Sequence, residues 1–330
     1  MAWIFRAVSR IDVFNGDADG ICALHQLRLA RPQPEARLLT GVKRDIALLR
    51  QLEEERDSHV TVLDISLETN RASLLKLLAN GCTVFYVDHH YAGEVPVSER
   101  LTAHIDPEPL LCTSLLVNWL LEDKHALWAV AGAFGDNLDE AAFQLARRLG
   151  LSQDETERLR EIGILLNYNG YGAALDDLYF HPAELCRLVR PYENPLAFHA
   201  ESPALRTLRE GYQNDMDRAL SFAPLHEDKA GRVFRLPAEA WARRVSGVCA
   251  NAFAQQRPAL AHALLTDNSD GSLLVSVRAP LQNRNGADLL CRQFPTGGGR
   301  AAAAGINALP ADQLDDFIKA FSCQFGRQAV

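Results

Sequence analysis

Two spacings of apolar residues alternate along the first part of the chain. Up to about residue 140, short runs of consecutive apolar residues are followed by stretches in which apolar residues recur every three or four positions. The first pattern is typical of buried strands and the second of amphipathic helices. The alternation predicts βαβ units and an α/β fold with a doubly wound, mostly parallel sheet. The clearest predicted strands are RIDVF, HVTVL and CTVFYV, and the clearest predicted helices are ICALHQLRLA, IALLRQLEEER and RASLLKLLANG.

The pattern changes in the second half. From 140 to about 170 the spacing is helical, and four prolines between residues 182 and 203 then interrupt it. A polar connecting helix is predicted from 205 to about 220, followed by a strand, a helix and two strands joined as a hairpin at Asp267–Gly271. A chain of 330 residues fits two domains. We expect a first domain at 1–186, a helical linker at 187–231 and a smaller α/β domain at 232–330.

Composition and charge narrow the expected ligands and the expected cellular location. The formal net charge of -8 argues against a long basic track for duplex DNA, but a few local cations can hold a short anionic substrate. The seven cysteines are odd in number and form no C-x-x-C pair, which indicates reduced thiols and a cytoplasmic protein. Arg6 and Arg10 interrupt the apolar residues of the N-terminus, unlike the core of a signal peptide, and no apolar stretch approaches membrane-spanning length. We therefore expect no membrane association.

Acids and imidazoles follow the apolar runs. Asp88, His89 and His90 close CTVFYV, and Asp64 closes HVTVL. The segment after RIDVF carries two more aspartates, and another follows a fourth apolar run, which we interpret as a strand. Ligands bind at the carboxyl ends of strands in open α/β sheets, so four strand ends are expected to bring these side chains together. The full set is Asp17, Asp19, Asp64, Asp88, His89, His90 and Asp136.

Carboxylates mixed with an imidazole suit manganese as well as magnesium. Two such ions about 3.5–4 Å apart need a shared ligand, for which Asp64 is suited, and together they can activate water for attack on a phosphate. Taken singly, Asp17, Asp19 and Asp88 are more simply explained as helix caps, and each histidine as a structural residue. Their conjunction at successive turns favours a metal site.

Thr113 and Ser114 open the helix-like segment LLVNWLL. They would cap its first turn or lend that helix terminus to an anion. Capping is the simpler interpretation.

The chain resembles the DHH family of phosphoesterases, over most of both domains. The family's first motif corresponds to Asn15–Gly20, its second to Asp64, its third to the Asp88-His89-His90 tripeptide and its fourth to Asp136. The resemblance implies a binuclear site, usually with manganese. One ion would be held by Asp17, Asp64 and Asp136, and the other by Asp19, Asp64 and His89. His90 would contact the phosphate or support the metal shell, and Asp88 would orient its neighbours.

The first motif departs from the family pattern at one place. Many members carry a histidine four residues before the first aspartate, where this chain has Val13. The resemblance therefore implies that the first ion has one ligand fewer. The single-strand exonuclease branch also lacks this histidine, although it carries an acid where this chain has Asn15.

A second signature lies in the C-terminal half. Gly297, Gly298 and Gly299 precede Arg300, and a glycine-rich loop lets backbone amides approach a phosphate, although three glycines alone equally suit a flexible connector. The run is similar to the Gly-Gly-Gly-His element of the DHH-associated substrate domain. Arg300 retains a cation that can bind phosphate. Arg278 either adds a second cation or is a solvated surface residue; the latter interpretation is favoured for a further arginine, Arg284.

These features predict a manganese-dependent phosphoesterase, a hydrolase whose cleft lies between the two domains. Its expected substrates are short oligonucleotides or nucleotide bisphosphates, so that it would be a nuclease that binds nucleic acid. The alternatives are a cyclic-dinucleotide, pyrophosphate or polyphosphate hydrolase, and a non-catalytic nucleic-acid-binding descendant of the fold. Two Mn²⁺ ions are expected, with Mg²⁺ as the alternative, and a homodimer is compatible with the sequence.

Overall fold

The computed structural model describes residues 8–268 and 270–326, which divide into two compact units between Arg209 and Glu210. Arg6, which interrupts the apolar residues of the N-terminus, lies outside the described residues, as does one residue of the Asp267–Gly271 turn. The boundaries that the sequence suggests at residues 186 and 231 stay a prediction.

The first unit contains a five-stranded sheet in which every neighbouring pair of strands is parallel. The strands are β1 (Arg10–Phe14), β2 (Arg37–Leu39), β3 (His59–Leu63), β4 (Thr83–Asp88) and β5 (Leu101–Ile105). Their order, β2-β1-β3-β4-β5, makes the chain change direction across the sheet between β1 and β3. A switch of this kind opens a crevice at the carboxyl ends of the two strands. The predicted parallel sheet is confirmed.

The first unit also contains helices. They are α1 (Ala18–Ala30), α2 (Leu67–Ala79), α3 (Thr113–Leu120), α4 (Ala126–Gly135), α5 (Asp139–Arg148), α6 (Gln153–Gly170), α7 (Pro182–Val189), α8 (Pro195–Glu201) and α9 (Pro203–Leu220), the last of which continues into the second unit. Ile11 and Val13 point to one face of β1 and share a core with Leu74 and Leu77 of α2. Asp12 points to the opposite face and pairs with α1, as the period of two in a strand requires. The sheet is therefore covered on both faces.

Two predicted elements differ from the structure. The run before Asp136 is helix α4, not a fourth strand. Apart from Leu127 in the first turn its residues are buried, so no polar face marks it as a helix. Its glycines allow close packing, since a Cβ on Gly135 would lie 2.2 Å from the Cβ of Ala18. The segment IALLRQLEEER forms only a short 3-10 helix, Leu48–Leu52. The Asn70 side chain accepts a hydrogen bond from the Leu49 amide and donates to the Ile46 carbonyl, which satisfies backbone groups that a longer helix would pair.

The second unit is a smaller α/β domain, as expected. Its strands are β6 (His226–Glu227), β7 (Gly231–Leu236), β8 (Ala261–Asp267), β9 (Leu273–Arg278), β10 (Gly297–Gly299) and β11 (Ala303–Leu309). They form one sheet in the order β10-β11-β9-β8-β7-β6, parallel only between β7 and β8. Its helices are α10 (Ala240–Gln256), α11 (Ala287–Cys291) and α12 (Leu314–Gly326), with short 3-10 turns at Ala311–Gln313 here and Leu175–Asp177 in the first unit. The predicted hairpin is confirmed, because Asp267 pairs with Leu273 in antiparallel β8 and β9.

Among the described residues, no helix has both the length and the apolar character that crossing a bilayer requires.

Candidate metal centre

Three adjacent strands and one helix carry the acidic cluster. Asp88 is the last residue of β4, Asp64 follows β3, and Asp17 follows β1. Asp136 reaches the same place from the C-terminal end of α4. The sequence thus identified the residues of this edge, although only three of the four supporting segments are strands.

The first acidic segment is a tight turn into α1. Asp17 is the N-cap of α1, and its Oδ1 accepts a hydrogen bond from the Gly20 amide at 3.1 Å. A Cβ on Gly20 would lie 2.2 Å from the Asn15 carbonyl oxygen, so this turn requires glycine. The helix-cap interpretation is correct for Asp17, and the second carboxylate oxygen remains available for a cation.

Asp19 is held by the N-terminus of α3. Its two carboxylate oxygens accept hydrogen bonds from the backbone amides of Thr113 and Ser114, both at 2.7 Å. The residue that precedes α3, Cys112, provides no side-chain cap. The helix terminus is therefore satisfied by an anion from another part of the chain, the less favoured of the two sequence interpretations.

Asp64 occupies the centre of the cluster in a strained conformation. Its φ of 59° lies in the left-handed region, which is uncommon for a residue other than glycine and is often found at functional sites. Its Oδ1 lies 3.5 Å from His89 Nε2 and 4.0 Å from His90 Nδ1. It also accepts a hydrogen bond from the Thr113 hydroxyl at 3.3 Å. Asp64 thus lies close both to the two histidines that follow β4 and to the first residue of α3.

Asp88 positions His90. The distance from His90 Nδ1 to Asp88 Oδ1 is 2.7 Å, and this hydrogen bond raises the pKa of His90 despite partial burial. Within the described part of the chain, the buried Oδ2 of Asp88 has no hydrogen-bond partner. With Nδ1 directed to Asp88, the Nε2 edge of the His90 ring is left for another contact.

Crowding of buried acids dominates the electrostatics. Burial and the charges of Asp19, Asp17, Asp136 and Asp88 raise the pKa of Asp64 well above its usual value. Burial and the charge of Asp19 raise the pKa of Asp136 to about 6, against the lowering effect of Lys43. Carboxylates that repel one another in a buried pocket are stabilised by a cation, which is the electrostatic condition for metal binding.

Lys43 is the residue that sequence reasoning missed. Its Nζ lies 2.6 Å from Asp17 Oδ2, 3.1 Å from Asn167 Oδ1 and 3.4 Å from Asp136 Oδ1. Burial opposes the charged form, but the charges of Asp17, Tyr171 and Asp136 raise the pKa of Lys43 well above its usual value. The only available signal was its place just after β2, which pairs with β1 and so ends at the same edge of the sheet.

The cluster fits a divalent cation. Two groups of ligand atoms each lie within 4.8 Å of one another: Asp64 with His89 and His90, and Asp19 with His89 and Asp136. Each combines carboxylate oxygen with imidazole nitrogen, a donor set that suits manganese or zinc as well as magnesium. The unpartnered Oδ2 of Asp88 adds an acceptor beside them. The assignment of ligands to two particular ions stays a prediction.

The predicted phosphate-binding residues lie in the second unit. Gly297–Gly299 form β10 at the edge of the sheet, so they are a strand and not a loop, and Arg300 follows as an exposed residue. Arg278 ends β9 opposite Ala303, whose carbonyl accepts from the Arg300 amide. The Arg278 guanidinium also donates to Asn251 Oδ1 at 2.6 Å. Both arginines are thus at one end of this sheet.

Solved structures with a similar fold cover nearly the whole chain. The exonuclease RecJ bound to manganese is 18% identical with a TM-score of 0.61, over 98% of this chain and 91% of that chain. RecJ from Thermus thermophilus in complex with Mn²⁺ is 19% identical with a TM-score of 0.59, over 98% of this chain and 53% of that chain, about half its length. The pGpG-specific phosphodiesterase PggH from Vibrio cholerae is 11% identical with a TM-score of 0.51, over 97% and 99% of the two chains. No protein-family model and no curated protein matches the chain.

The fold is therefore that of the DHH-type phosphoesterases, and the resemblance suggested by the sequence motifs is confirmed at the level of the fold. At these identities the similarity establishes the architecture and leaves the substrate open.

Proposed function

We propose that this protein is a metal-dependent phosphoesterase that hydrolyses phosphodiester or phosphomonoester bonds in short nucleotide substrates. The observation that carries the proposal is the cluster of carboxylates, most of them buried, and partly exposed imidazoles at the carboxyl edge of the parallel sheet. A divalent ion bound there supplies activated water and offsets negative charge on the phosphate. Manganese is the preferred ion in this proposal, since imidazole nitrogen is among the donors.

The proposed roles follow from the contacts of each side chain. Asp64 and His89 are proposed to hold the metal, together with Asp19 and Asp136. The α3 N-terminus fixes Asp19 through two backbone amides, so this ligand needs little reorganisation when an ion binds. Preorganisation of this kind favours binding because the ordering cost is met during folding.

His90 is the proposed phosphate-binding and proton-donating residue. Asp88 holds its Nδ1 and raises its pKa, so a larger fraction of the imidazole is protonated near neutral pH. Its side chain is 42% exposed, compared with 0% for Asp88, which leaves the ring accessible to a substrate. A protonated Nε2 can donate to a phosphate oxygen or to the leaving oxygen. Asp88 acts as the positioning residue in this proposal.

Short oligonucleotides, from dinucleotides to a few residues, are the proposed substrates. Two of the proteins with this fold are an exonuclease, RecJ, and a phosphodiesterase specific for pGpG, PggH. The phosphodiesterase agrees with this chain in length, since each covers nearly all of the other. The net charge of -8 also favours a short anionic ligand over a long duplex. We propose that Gly297–Gly299, Arg300 and Arg278 bind its distal phosphate.

The test is manganese-dependent release of mononucleotides from end-labelled RNA and DNA of two to about two dozen nucleotides. Asp64→Asn keeps the shape of the side chain and removes the central carboxylate, and should lower the rate at least about 100-fold. Asp154→Asn is the matched control, because Asp154 is 70% exposed and pairs with Arg158 on α6, away from the acidic cluster. Its rate should equal that of the wild type.

Cleavage concentrated on the shortest RNAs supports the proposal. Absence of cleavage at every length overturns the oligonucleotide assignment, and the same assay with cyclic dinucleotides, nucleotide bisphosphates, pyrophosphate and polyphosphate then distinguishes the other hydrolases. Tight binding of RNA without any hydrolysis, unchanged in Asp64→Asn, would instead indicate a non-catalytic nucleic-acid-binding protein.

A further inference from the structure

Lys43 places a permanent positive charge inside the acidic cluster. Its ammonium group is surrounded by oxygen atoms of Asp17, Asn167 and Asp136, at 2.6, 3.1 and 3.4 Å. The side chain is 22% exposed, and Nζ lies over the ring of Tyr171, 5.6 Å from its centre. Three oxygen atoms and an aromatic ring around one nitrogen form a built cation site rather than a surface ion pair.

The backbone of Lys43 is fixed as well as its side chain. Its amide donates to the Gly170 carbonyl at 2.9 Å, and its carbonyl accepts from Asn15 Nδ2 at 3.4 Å. These contacts tie the loop after β2 both to the end of α6 and to the first acidic segment. Lys43 thus enters the cluster from a loop anchored on two sides.

This ammonium contacts the carboxylate oxygens that an ion shared by Asp17 and Asp136 would need. A small divalent ion lies about 2.0–2.1 Å from each of its oxygen ligands. Nζ lies 2.6 Å from one oxygen of Asp17 and 3.4 Å from one oxygen of Asp136, so an ion bridging those same two oxygens would compete with it for them. The other oxygen of Asp17 is already used as the cap of α1. In the described residues, both ligand groups that fit a metal contain His89 and neither contains Asp17.

We propose that Lys43 replaces one of the two metal ions: its ammonium neutralises Asp17 and part of Asp136, and the protein binds a single divalent ion at His89. The inference rests on the proposed function and deepens it. The positive charge of Lys43 would attract the negatively charged phosphate of the substrate, a role that a second metal ion would otherwise have. The lysine delivers one positive charge instead of two and cannot activate water, so water activation belongs to the single ion.

The test is the stoichiometry of manganese, measured on the full chain after removal of metal. Isothermal titration calorimetry with Mn²⁺ gives the number of sites. Electron paramagnetic resonance distinguishes an isolated Mn²⁺ from a coupled pair. We expect one Mn²⁺ per chain in the wild type, with the spectrum of an isolated ion. Lys43→Met keeps the length of the side chain without its charge, and should bind a second Mn²⁺ and show the spectrum of a coupled pair. Lys76→Met, which removes a lysine paired with Glu53 elsewhere in the first unit, should still bind one.

The outcomes separate the inference from the proposed function. Two coupled ions in the wild type would overturn the inference while leaving a metal-dependent phosphoesterase intact. One ion in the wild type and still one in Lys43→Met would also overturn it, since Lys43 would then not occupy a metal position. No manganese in the wild type would overturn the inference and the proposed metal-dependent function together. If Lys43→Met fails to fold, the wild-type stoichiometry alone decides between one ion and two.

Discussion

Replacement of Asp136 by asparagine should stabilise the metal-free protein while impairing catalysis. The Asp136 side chain is 21% exposed and lies at the end of α4, facing the other acids of the cluster. Its pKa is raised from 3.8 to about 6, with burial as the largest cause and the charge of Asp19 next. Asparagine has nearly the same shape but cannot ionise, so Asp136→Asn removes the cost of holding that charge in the pocket.

The magnitude follows from the difference between the two pKa values. One pKa unit corresponds to about 1.4 kcal/mol, so a rise of about two units corresponds to about 3 kcal/mol of destabilisation once the acid is ionised. Because the folded-state pKa of Asp136 is the higher one, its protonated form stabilises the fold below pH 3.8 and this contribution is lost as the pH rises through about 6. At pH 7.5 the free energy of unfolding should therefore be greater in Asp136→Asn by up to about 3 kcal/mol.

The assay is urea denaturation followed by circular dichroism, in the presence of a chelator, at pH 7.5 and again at the lowest pH at which both proteins fold. Asp123→Asn is the matched control of opposite sign, because the hydrogen bond from Arg148 lowers the pKa of Asp123. Asparagine also tolerates the positive φ of 63° at that position. The control should be no more stable than the wild type. A less stable Asp136→Asn at pH 7.5, or a difference that does not shrink as the pH falls, would refute the reasoning.

Two further predictions concern the scaffold of the first unit. Arg28 donates to Asp12 and to the Thr61 hydroxyl, and the side chains of Arg28 and Asp12 are largely buried. Arg28→Met should therefore lower the free energy of unfolding by about 3–5 kcal/mol, and a loss below about 1 kcal/mol in urea denaturation would contradict this account. Burial lowers the pKa of His25 to about 4, so its contribution to stability is complete above about pH 6.5 and is lost as the pH falls toward 4. Between pH 7.5 and pH 4 the free energy of unfolding should fall by up to about 3 kcal/mol less in His25→Gln than in the wild type. An unchanged pH dependence would argue against a buried neutral imidazole.

The architecture and the composition of the acidic edge were predictable because local patterns encode them. β1 and β3 are short, mostly apolar runs for which a buried strand is the simplest interpretation. Aspartates that follow such strands lie at the carboxyl edge of a parallel sheet. The helix α4 was not predictable, since a helix buried on all sides has no polar stripe to reveal its period. The sequence correctly places Asp136 at the end of an apolar element, but its pattern does not distinguish a helix from a strand there.

The contacts that complete the site depend on long-range packing. Lys43 is 93 residues from Asp136, and Asp19 is 94 residues from Thr113, yet each pair is in contact. No local spacing relates such residues, and a lysine in a surface-like loop is more often solvated than buried among acids. The electrostatic arrangement of the centre therefore emerges only once the sheet order is known.

The hydrogen bonds between Asp19 and the amides of Thr113 and Ser114 bear on the choice of an inactive variant. These two bonds satisfy the start of α3, for which Cys112 supplies no side-chain cap. Removing the Asp19 carboxylate would remove a proposed metal ligand and free a buried helix end at the same time, so lost activity could not be separated from local unfolding. Asp64 accepts a hydrogen bond of 3.3 Å from the Thr113 side chain rather than from the backbone amides of a helix end, so it can be neutralised with less structural damage. A substrate trap, in which the unhydrolysed ligand is captured for identification, is therefore better built on Asp64→Asn than on any change at Asp19.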